Sequence, residues 1–165
     1  MTIRSARPED LPEILSVYET ARAFMRKNGN LHQWTGGYPQ KALLEEDIEK
    51  GQLFVFDSDG AVHAAFAFIL GDDPTYAYIE GGQWLNDRPY GTIHRIGSDG
   101  TEKGIVRAAL AFALTKTGEV RADTHADNFP MQRALEKCGF VRCGTIYLEN
   151  GDPRIAYQFA KEAVQ

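Results

Sequence analysis

The order of elements in this chain is decided by residues 91–113, whose sequence is GTIHRIGSDGTEKGIVRAALAFA. Residues 91–97 predict a strand, residues 98–104 a polar loop, and residues 105–113 a helix with an apolar face. A helix that begins directly after such a loop exposes unpaired backbone N–H groups and the positive end of its dipole. The junction is therefore a candidate anion site, although by itself an ordinary surface loop is the simpler interpretation. It is neither a P-loop nor a dinucleotide fingerprint, because it lacks the glycines and the Lys-Ser/Thr pair of those motifs.

Outward from this junction, hydrophobic periodicity predicts a single mixed, mostly antiparallel twisted sheet flanked by helices, in the α/β (α+β) class. Asp57-Ser58-Asp59-Gly60 and Asn150-Gly151 are the turn signals of two hairpins. The predicted strands cover residues 3–6, 53–56, 61–70, 91–97, 119–124, 140–148 and 154–159, with a further extended segment at 76–80. The predicted helices run from Pro8 to about Lys27, around 43–48, from 105, and around 131–138.

Composition limits the class of protein. The 165 residues are 43% hydrophobic and 25% charged, which predicts one globular domain over residues 1–165 and excludes intrinsic disorder. The net charge of −5 argues against a nucleic-acid partner or an anionic membrane. No apolar run approaches the roughly 18 residues of a membrane span, and the N-terminus has no secretory signal. Cys138 and Cys143 lack the spacing and neighbours of a metal site, which favours reduced thiols in a cytoplasmic protein.

Four segments together resemble the GNAT superfamily of N-acetyltransferases over nearly the whole chain. Residues 3–11 are similar to the family's first strand and helix start, and Thr101–Val106 falls where the family carries Gln/Arg-x-x-Gly-x-Gly/Ala. Asn128–Met131 followed by Leu135–Phe140 is similar to its Asn…Tyr-Glu-Lys-x-Gly-Phe segment. The last block is the most specific, because the asparagine and the Gly-Phe pair stand at the family's spacing after a strand.

The chain departs from the family pattern at three positions. Thr101 stands in place of Gln or Arg, and Val106 in place of the last Gly or Ala, so that Gly104 alone of the three signature residues is kept. Leu135 occupies the position where many members carry a tyrosine that protonates the leaving thiolate. Each departure bears on how the donor is held or how the thiolate leaves, and none bears on the fold.

The resemblance implies the acyl-CoA N-acyltransferase fold, acetyl-CoA as acyl donor, no metal, and a primary amine of a small molecule or peptide as acceptor. Dimers are frequent in the family, so it also allows a homodimer. In the family, the central strand splays from its neighbour, pairs with the pantetheine arm, and is followed by the loop that holds the pyrophosphate. The cofactor-binding residues that this implies are Ile96, Thr101, Glu102, Lys103, Gly104, Ile105, Val106 and Asn128.

An amine that arrives protonated must lose a proton before it attacks the thioester. His94 in the central predicted strand and Glu80 at the end of an extended segment are the candidate bases, each equally consistent with a structural histidine or a solvated carboxylate. Two aromatic-rich loops are candidate walls for the acceptor, or else cover an edge of the core. Their residues are Trp34, Tyr38, Trp84 and Tyr90. Arg88 and Arg95 are candidates for receiving an acidic acceptor.

The sequence is consistent with three functions. The first is an acetyl-CoA-dependent N-acetyltransferase. The second is a non-catalytic CoA-binding sensor or interaction module of the same fold, which Leu135 and the altered signature favour. The third is an unrelated α/β scaffold that binds another phosphate ligand at Thr101–Val106.

Overall fold

The computed structural model describes residues 1–161 and contains the predicted strands and helices in the predicted order, apart from the segment at 76–80. In chain order the elements are β1 (Thr2–Ser5), α1 (Leu11–Lys27), α2 (Lys41–Glu49), β2 (Leu53–Ser58), β3 (Ala61–Leu70), β4 (Gly91–Ser98), α3 (Ile105–Ala113), β5 (Glu119–Thr124), α4 (Phe129–Lys137), β6 (Val141–Tyr147) and β7 (Pro153–Ala160). Single 3-10 turns lie at Pro8–Asp10 and Pro74–Tyr76.

The strands form one seven-stranded sheet in the order β1-β2-β3-β4-β5-β7-β6. β4 and β5 pair in parallel, whereas β1 with β2, β2 with β3, β5 with β7 and β6 with β7 pair antiparallel. The mixed, mostly antiparallel sheet that the sequence predicts is thus confirmed. β4 lies in the middle of this order, and the loop from β4 to α3 is the predicted polar junction of residues 98–104.

The chain divides into two compact units, and the first contains Met1–Phe68 and His94–Ile105. α1 buries a stripe at helical spacing that includes Ile14, Tyr18 and Met25, and basic residues in its last turn suit the helix dipole. This stripe shares one core with α2, β2 and β3. The buried members of that core are Ala6, Leu11, Ile14, Val17, Tyr18, Leu44, Leu53, Val55, Val62, Ala65 and Ala67.

The second unit contains Ile69–Ile93 and the described residues from Val106 onward. β5, β6 and β7 form its antiparallel part. Tyr76, Tyr90, Ile146 and Ala156 make a buried cluster, against which Trp84 and two aliphatic side chains pack. The loop of residues 71–90 is therefore part of a core as well as a connection.

The predicted extended segment at 76–80 is wrong for most of its length. Residues Pro74–Tyr76 form a 3-10 turn, because Pro74 occupies its first position and the Asp73 side chain accepts hydrogen bonds from the Thr75 N–H and hydroxyl. Only Glu80 pairs with a strand, through an isolated antiparallel bridge to Thr145 of β6. The local cap outweighs the alternating pattern of the residues that follow it.

Candidate functional site

β4 carries a left-handed residue in its interior, at the place where the family resemblance puts the donor. Arg95 has a φ of 53°, which is uncommon for a residue with a side chain and interrupts the regular strand. The Tyr18 hydroxyl of α1 donates to the Arg95 carbonyl oxygen at 2.6 Å. Complete burial raises the pKa of Tyr18 well above its usual range, so the hydroxyl remains a donor at neutral pH. Tyr18 therefore fixes the backbone of β4 where it deviates.

A buried ion pair fixes the Arg95 side chain as well. Its Nε and Nη2 atoms donate to the two carboxylate oxygens of Asp47 at 2.9 and 3.0 Å, and its Nη1 donates to the Tyr38 hydroxyl at 3.2 Å. The Asp47 side chain is only 1% exposed, and it also accepts a hydrogen bond from Gln52. Burial opposes the Arg95 charge, but Tyr38 and Asp47 outweigh it and raise its pKa. The Arg95 charge is thus already matched within the protein, and its role toward an acidic acceptor stays a prediction.

Two of the predicted acceptor-side aromatics lie beside this pair. The Trp34 ring packs edge-on against Tyr18, with centroids 5.6 Å apart, and lies 6.2 Å from the Tyr38 ring. Both side chains are half-buried. The first unit thus brings Trp34, Tyr38 and Arg95 together. His94 and Ile96, the neighbours of Arg95 in β4, are also half-buried.

The loop between β4 and α3 is built from side chains that cap its first N–H groups. The Gly100 N–H donates to the Ser98 hydroxyl, and the Thr101 N–H donates to Asp99 Oδ1 at 3.0 Å. The Thr101 N–H was expected to hold a pyrophosphate, and the structure gives it this internal partner instead. The N–H groups from Glu102 onward remain the candidates for an anion.

Gly104 ends the loop in a conformation that a residue with a side chain rarely adopts. Its φ is +72°, and it immediately precedes α3. A Cβ built on Gly104 would meet no atom within 4 Å, and both Gly104 and Lys103 are exposed. The surface beside the start of α3 is therefore open, as a phosphate-binding turn requires.

In the second unit, Glu80 lies in an exposed cluster with two tyrosines. Its Oε2 accepts from the Tyr78 hydroxyl at 2.9 Å and its Oε1 from the Tyr147 hydroxyl at 3.2 Å. The two rings are nearly parallel, with centroids 6.3 Å apart. The hydrogen bond with Glu80 raises the pKa of Tyr78. Both carboxylate oxygens of this candidate base therefore already have donors.

Trp84 and Tyr90 enclose an arginine. The Arg121 guanidinium lies 4.0 Å from the centroid of the Trp84 ring and 3.9 Å from that of Tyr90. The Trp84 indole N–H donates to the Tyr76 carbonyl, and the Tyr90 hydroxyl accepts from the Asp73 N–H. These contacts make both aromatics part of the packing of the second unit, and their role toward an acceptor stays a prediction.

Arg88, the other candidate for an acidic acceptor, lies in the same loop. Its Nη1 atom is 3.4 Å from Oε2 of the buried Glu119. The Arg88 side chain is itself exposed. Its role toward an acceptor stays a prediction.

α4 holds the remaining residues of the family segment. Asn128 is its N-cap, and the side-chain oxygen accepts from the Met131 N–H at 3.2 Å. Leu135 is 3% exposed, as expected of a side chain that packs in the protein interior. Asn128 therefore has a structural function, and its contact with a cofactor stays a prediction.

Several of these partnerships have no signal in the sequence. Tyr18 lies 77 residues from Arg95 along the chain, and Asp47 lies 48 residues from it. An alternating or helical pattern predicts which face is buried, but it does not pair a buried acid with a distant base.

Within residues 1–161 no group of three or more His, Cys, Asp or Glu side chains is placed to hold a metal ion. None of the helices in that range combines the length and the apolar character that crossing a bilayer requires. Cys138 and Cys143 are both free thiols.

Comparison with known proteins places the chain in a family. A scan of protein-family models and a search of curated proteins each found no match. Among solved structures, a GNAT family acetyltransferase from Streptococcus agalactiae is 34% identical, with a TM-score of 0.87, over 97% of this chain and 95% of that one.

More distant structures share the fold alone. A GNAT family acetyltransferase from Listeria monocytogenes is 21% identical, with a TM-score of 0.70, over 96% of this chain and 94% of that one. A ribosomal-protein-alanine N-acetyltransferase from Brucella melitensis is 19% identical, with a TM-score of 0.61, over 97% and 99%. With the near-complete match to the streptococcal structure, the strand order around β4 and the loop before α3 lead to one conclusion: the chain belongs to the GNAT family of acetyltransferases.

Proposed function

We propose that this chain is an acetyl-CoA-dependent N-acetyltransferase that acetylates a primary amine of a small molecule or peptide. The observation that carries the proposal is the loop that leaves β4 and ends at the left-handed Gly104 directly before α3. Helix N-termini present N–H groups and a positive dipole end to phosphates. Membership of the GNAT family supports an acetyl transfer rather than another use of this turn.

The residues of the loop fit a pyrophosphate. The open space beside Gly104 leaves room for phosphate oxygens, and Lys103 is an exposed cation next to it. The N–H groups from Glu102 to Val106 would hold the group. Glu102 itself points its carboxylate back toward Ser58, whose hydroxyl donates to it at 3.1 Å, which keeps that negative charge engaged within the protein.

In the proposed reaction acetyl-CoA would supply the acetyl group, and residues of the chain would position the reactants and move the proton. When bound, acetyl-CoA supplies a thioester whose acetyl group passes to the amine nitrogen while the thiolate leaves. β4 supplies a fixed backbone beside Arg95, and a backbone N–H of this strand would stabilise the negative charge on the carbonyl oxygen. His94 or Glu80 would remove the proton from the incoming ammonium. The N–H and the hydroxyl of Thr101 both donate to Asp99, so Thr101 would hold the loop rather than the pyrophosphate.

Leu135 is the observation that favours the non-catalytic alternative, because a buried aliphatic side chain cannot protonate a thiolate. A thiol with a pKa near 8.5 leaves tolerably well as an anion at neutral pH, so an acid is not essential for turnover. We expect Leu135→Tyr to leave kcat unchanged or to reduce it by overpacking the interior. Steady-state thiol release measures this, and a clear rise in kcat would show that the natural enzyme is limited by a missing acid.

Calorimetry with acetyl-CoA and Gly104→Val test the binding site. We expect the wild-type chain to bind and the variant to bind at least about tenfold more weakly, because a branched side chain strains a positive φ and fills the open space. Gly29→Val is the matched control, since Gly29 follows α1 with a φ of +83° and an equally open Cβ position. Both variants should lose comparable stability, and only Gly104→Val should lose affinity.

The outcomes separate the three functions. Thiol release from acetyl-CoA with any member of a panel of primary amines supports the transferase. Binding without release under any amine supports the sensor. Equal acetyl-CoA affinity in Gly104→Val and the wild type would place the donor elsewhere, and no binding by the wild type would overturn the proposal.

A further inference from the structure

A histidine outside the family signature holds the start of the phosphate-binding loop. His63 lies on β3, with Nδ1 2.8 Å from Asp99 Oδ2 and 2.9 Å from the Thr101 hydroxyl oxygen. The Thr101 hydroxyl and N–H both donate to Asp99 Oδ1, at 2.7 and 3.0 Å. Because the Thr101 proton goes to Asp99, both neighbours of Nδ1 are acceptors, and Nδ1 must carry the proton. We call His63, Asp99 and Thr101 the His63 latch.

The latch joins the loop to β3 through backbone as well as side chains. The Asp99 N–H donates to the His63 carbonyl oxygen at 3.0 Å. One residue beyond the latch, Glu102 accepts from the Ser58 hydroxyl of β2. Lys103 and Gly104, which follow, are exposed. The start of the loop is therefore anchored to two strands, whereas its end is presented to solvent.

The charged groups that act on His63 are acidic. Asp99 and Glu102 face it from the loop, and Glu13 faces it from α1, where its Oε2 accepts from the N–H of Val62. The hydrogen bond with Asp99 is the main cause that raises the pKa of His63 above its usual value. Burial works against the Asp99 anion, but hydrogen bonds from Thr101 and His63 outweigh it and lower the pKa of Asp99. The two shifts are in the directions that favour a charged pair.

We propose that His63 is a positioning residue for acetyl-CoA, holding Asp99 and Thr101 so that the N–H groups from Glu102 onward are arranged for the pyrophosphate before it binds. This inference rests on the proposed function. A loop that is ordered in advance loses less conformational freedom on binding, which increases affinity. The His63 cation also offsets the Asp99 anion, which would otherwise repel the phosphates. Both effects act on binding of the donor and not on the chemical step.

Acetyl-CoA affinity should therefore depend on the charge of His63. Below the pKa of His63 the hydrogen bond to Asp99 is charge-assisted, and charge-assisted bonds are roughly twice as strong as neutral ones. As the pH rises through that pKa, we expect affinity to fall by about fivefold. His63→Asn keeps an N–H donor near the Nδ1 position but has no charge to lose. In that variant the fall with pH should be absent.

The test uses the full chain as wild type, His63→Ala and His63→Asn, with His32→Ala as the matched control because His32 is an exposed histidine after α1. Calorimetry gives acetyl-CoA affinity between pH 6 and pH 9, thiol release separates KM from kcat, and amide hydrogen exchange follows residues 99–104 without ligand. We expect His63→Ala to bind about tenfold more weakly with kcat changed less than about twofold. Exchange in the loop should be faster in His63→Ala and unchanged in His32→Ala.

Two results would overturn the latch while leaving the proposed function in place. The first is equal acetyl-CoA affinity in His63→Ala and in a wild type that binds it. The second is an acetyl-CoA affinity that falls with pH in His63→Asn as it does in the wild type. The second measurement tests the latch even if His63→Ala does not fold. A wild type that does not bind acetyl-CoA at all would overturn the proposed function and the latch with it.

Discussion

Replacing Asp47 with alanine is expected to lower the free energy of unfolding by about 3–5 kcal/mol, because it leaves a buried guanidinium without its counter-charge. Asp47 is almost completely buried, and both of its carboxylate oxygens bind Arg95. Tyr38 contributes only a hydroxyl to the same guanidinium, which cannot neutralise it. Urea denaturation of the purified chain measures the loss.

The control for this prediction is Glu45→Ala, which removes an exposed carboxylate from the same helix. We expect little change from it, since surface charges contribute little to stability. The double variant Asp47→Leu/Arg95→Met should recover much of the loss, because replacing both members of a buried pair with apolar side chains is often neutral. A single variant Asp47→Ala as stable as the wild type would show that Arg95 finds solvent or another partner.

Loss of Asp47 should also lower activity, through its effect on Arg95 in β4. Asp47 holds the Arg95 side chain, and Tyr18 holds the Arg95 carbonyl. Removing Asp47 therefore frees the side chain but leaves the hydrogen bond to the β4 backbone in place. If the left-handed turn of the strand positions the donor, Asp47→Ala should reduce kcat/KM even at temperatures where the chain is fully folded. Activity measured well below the unfolding midpoint distinguishes this effect from loss of protein.

The order of the elements was predictable from sequence because each of them carries a local signal. α1 has its apolar stripe, and the turns at Asp57–Gly60 and Asn150-Gly151 carry residues that favour tight hairpins. The segment at 76–80 shows where such reasoning fails. Its alternating residues suit a strand, yet the Asp73 cap and Pro74 impose a turn just before it. The alternating pattern favours a strand and the Asp73 cap favours a turn, and the structure contains the turn.

The position of the loop before α3 was predictable from the sequence, but the hydrogen bonds within it were not. A glycine before an apolar helical face located the loop, and the structure places Gly104 in the conformation that needs a glycine. Which N–H groups are available depends on Asp99, whose side chain occupies the Thr101 N–H. His63 contacts Asp99 because β3, which carries His63, lies next to β4 in the sheet. Contacts between side chains 36 or more residues apart are set by packing, which no pattern along the chain encodes.

At Gly82 the backbone of the loop of residues 71–90 closely approaches the backbone of β6. A Cβ on Gly82 would lie 2.0 Å from the carbonyl oxygen of Cys143 and 3.0 Å from its carbonyl carbon. A backbone group of β6 cannot rotate away as the end of a side chain can, so that Gly82→Ala must displace the whole segment. Overpacking of this kind costs about 1–3 kcal/mol, and more where backbone must move.

The displaced segment carries Glu80, so the variant also tests that candidate base. Glu80 and Thr145 exchange two backbone hydrogen bonds, of 2.9 and 2.8 Å, which hold the Glu80 carboxylate beside Tyr78 and Tyr147. We expect Gly82→Ala to lose stability in urea and to lose amide-exchange protection at both residues. Gly118→Ala is the control, because a Cβ there meets only Lys161 Cβ at 4.0 Å, and its stability should stay within about 1 kcal/mol of the wild type.

If Glu80 removes the proton from the amine, Gly82→Ala should reduce kcat/KM under conditions where the chain is folded, and Gly118→Ala should not. If His94 alone does so, Gly82→Ala should cost stability and exchange protection but leave kcat/KM of the folded fraction unchanged, since His94 lies on β4 and outside the displaced segment. The same variant therefore discriminates between the two bases by comparing activity with stability. Wild-type protection at Glu80 and Thr145 in Gly82→Ala would show that the backbone of β6 leaves room for a Cβ on Gly82 and would contradict the prediction.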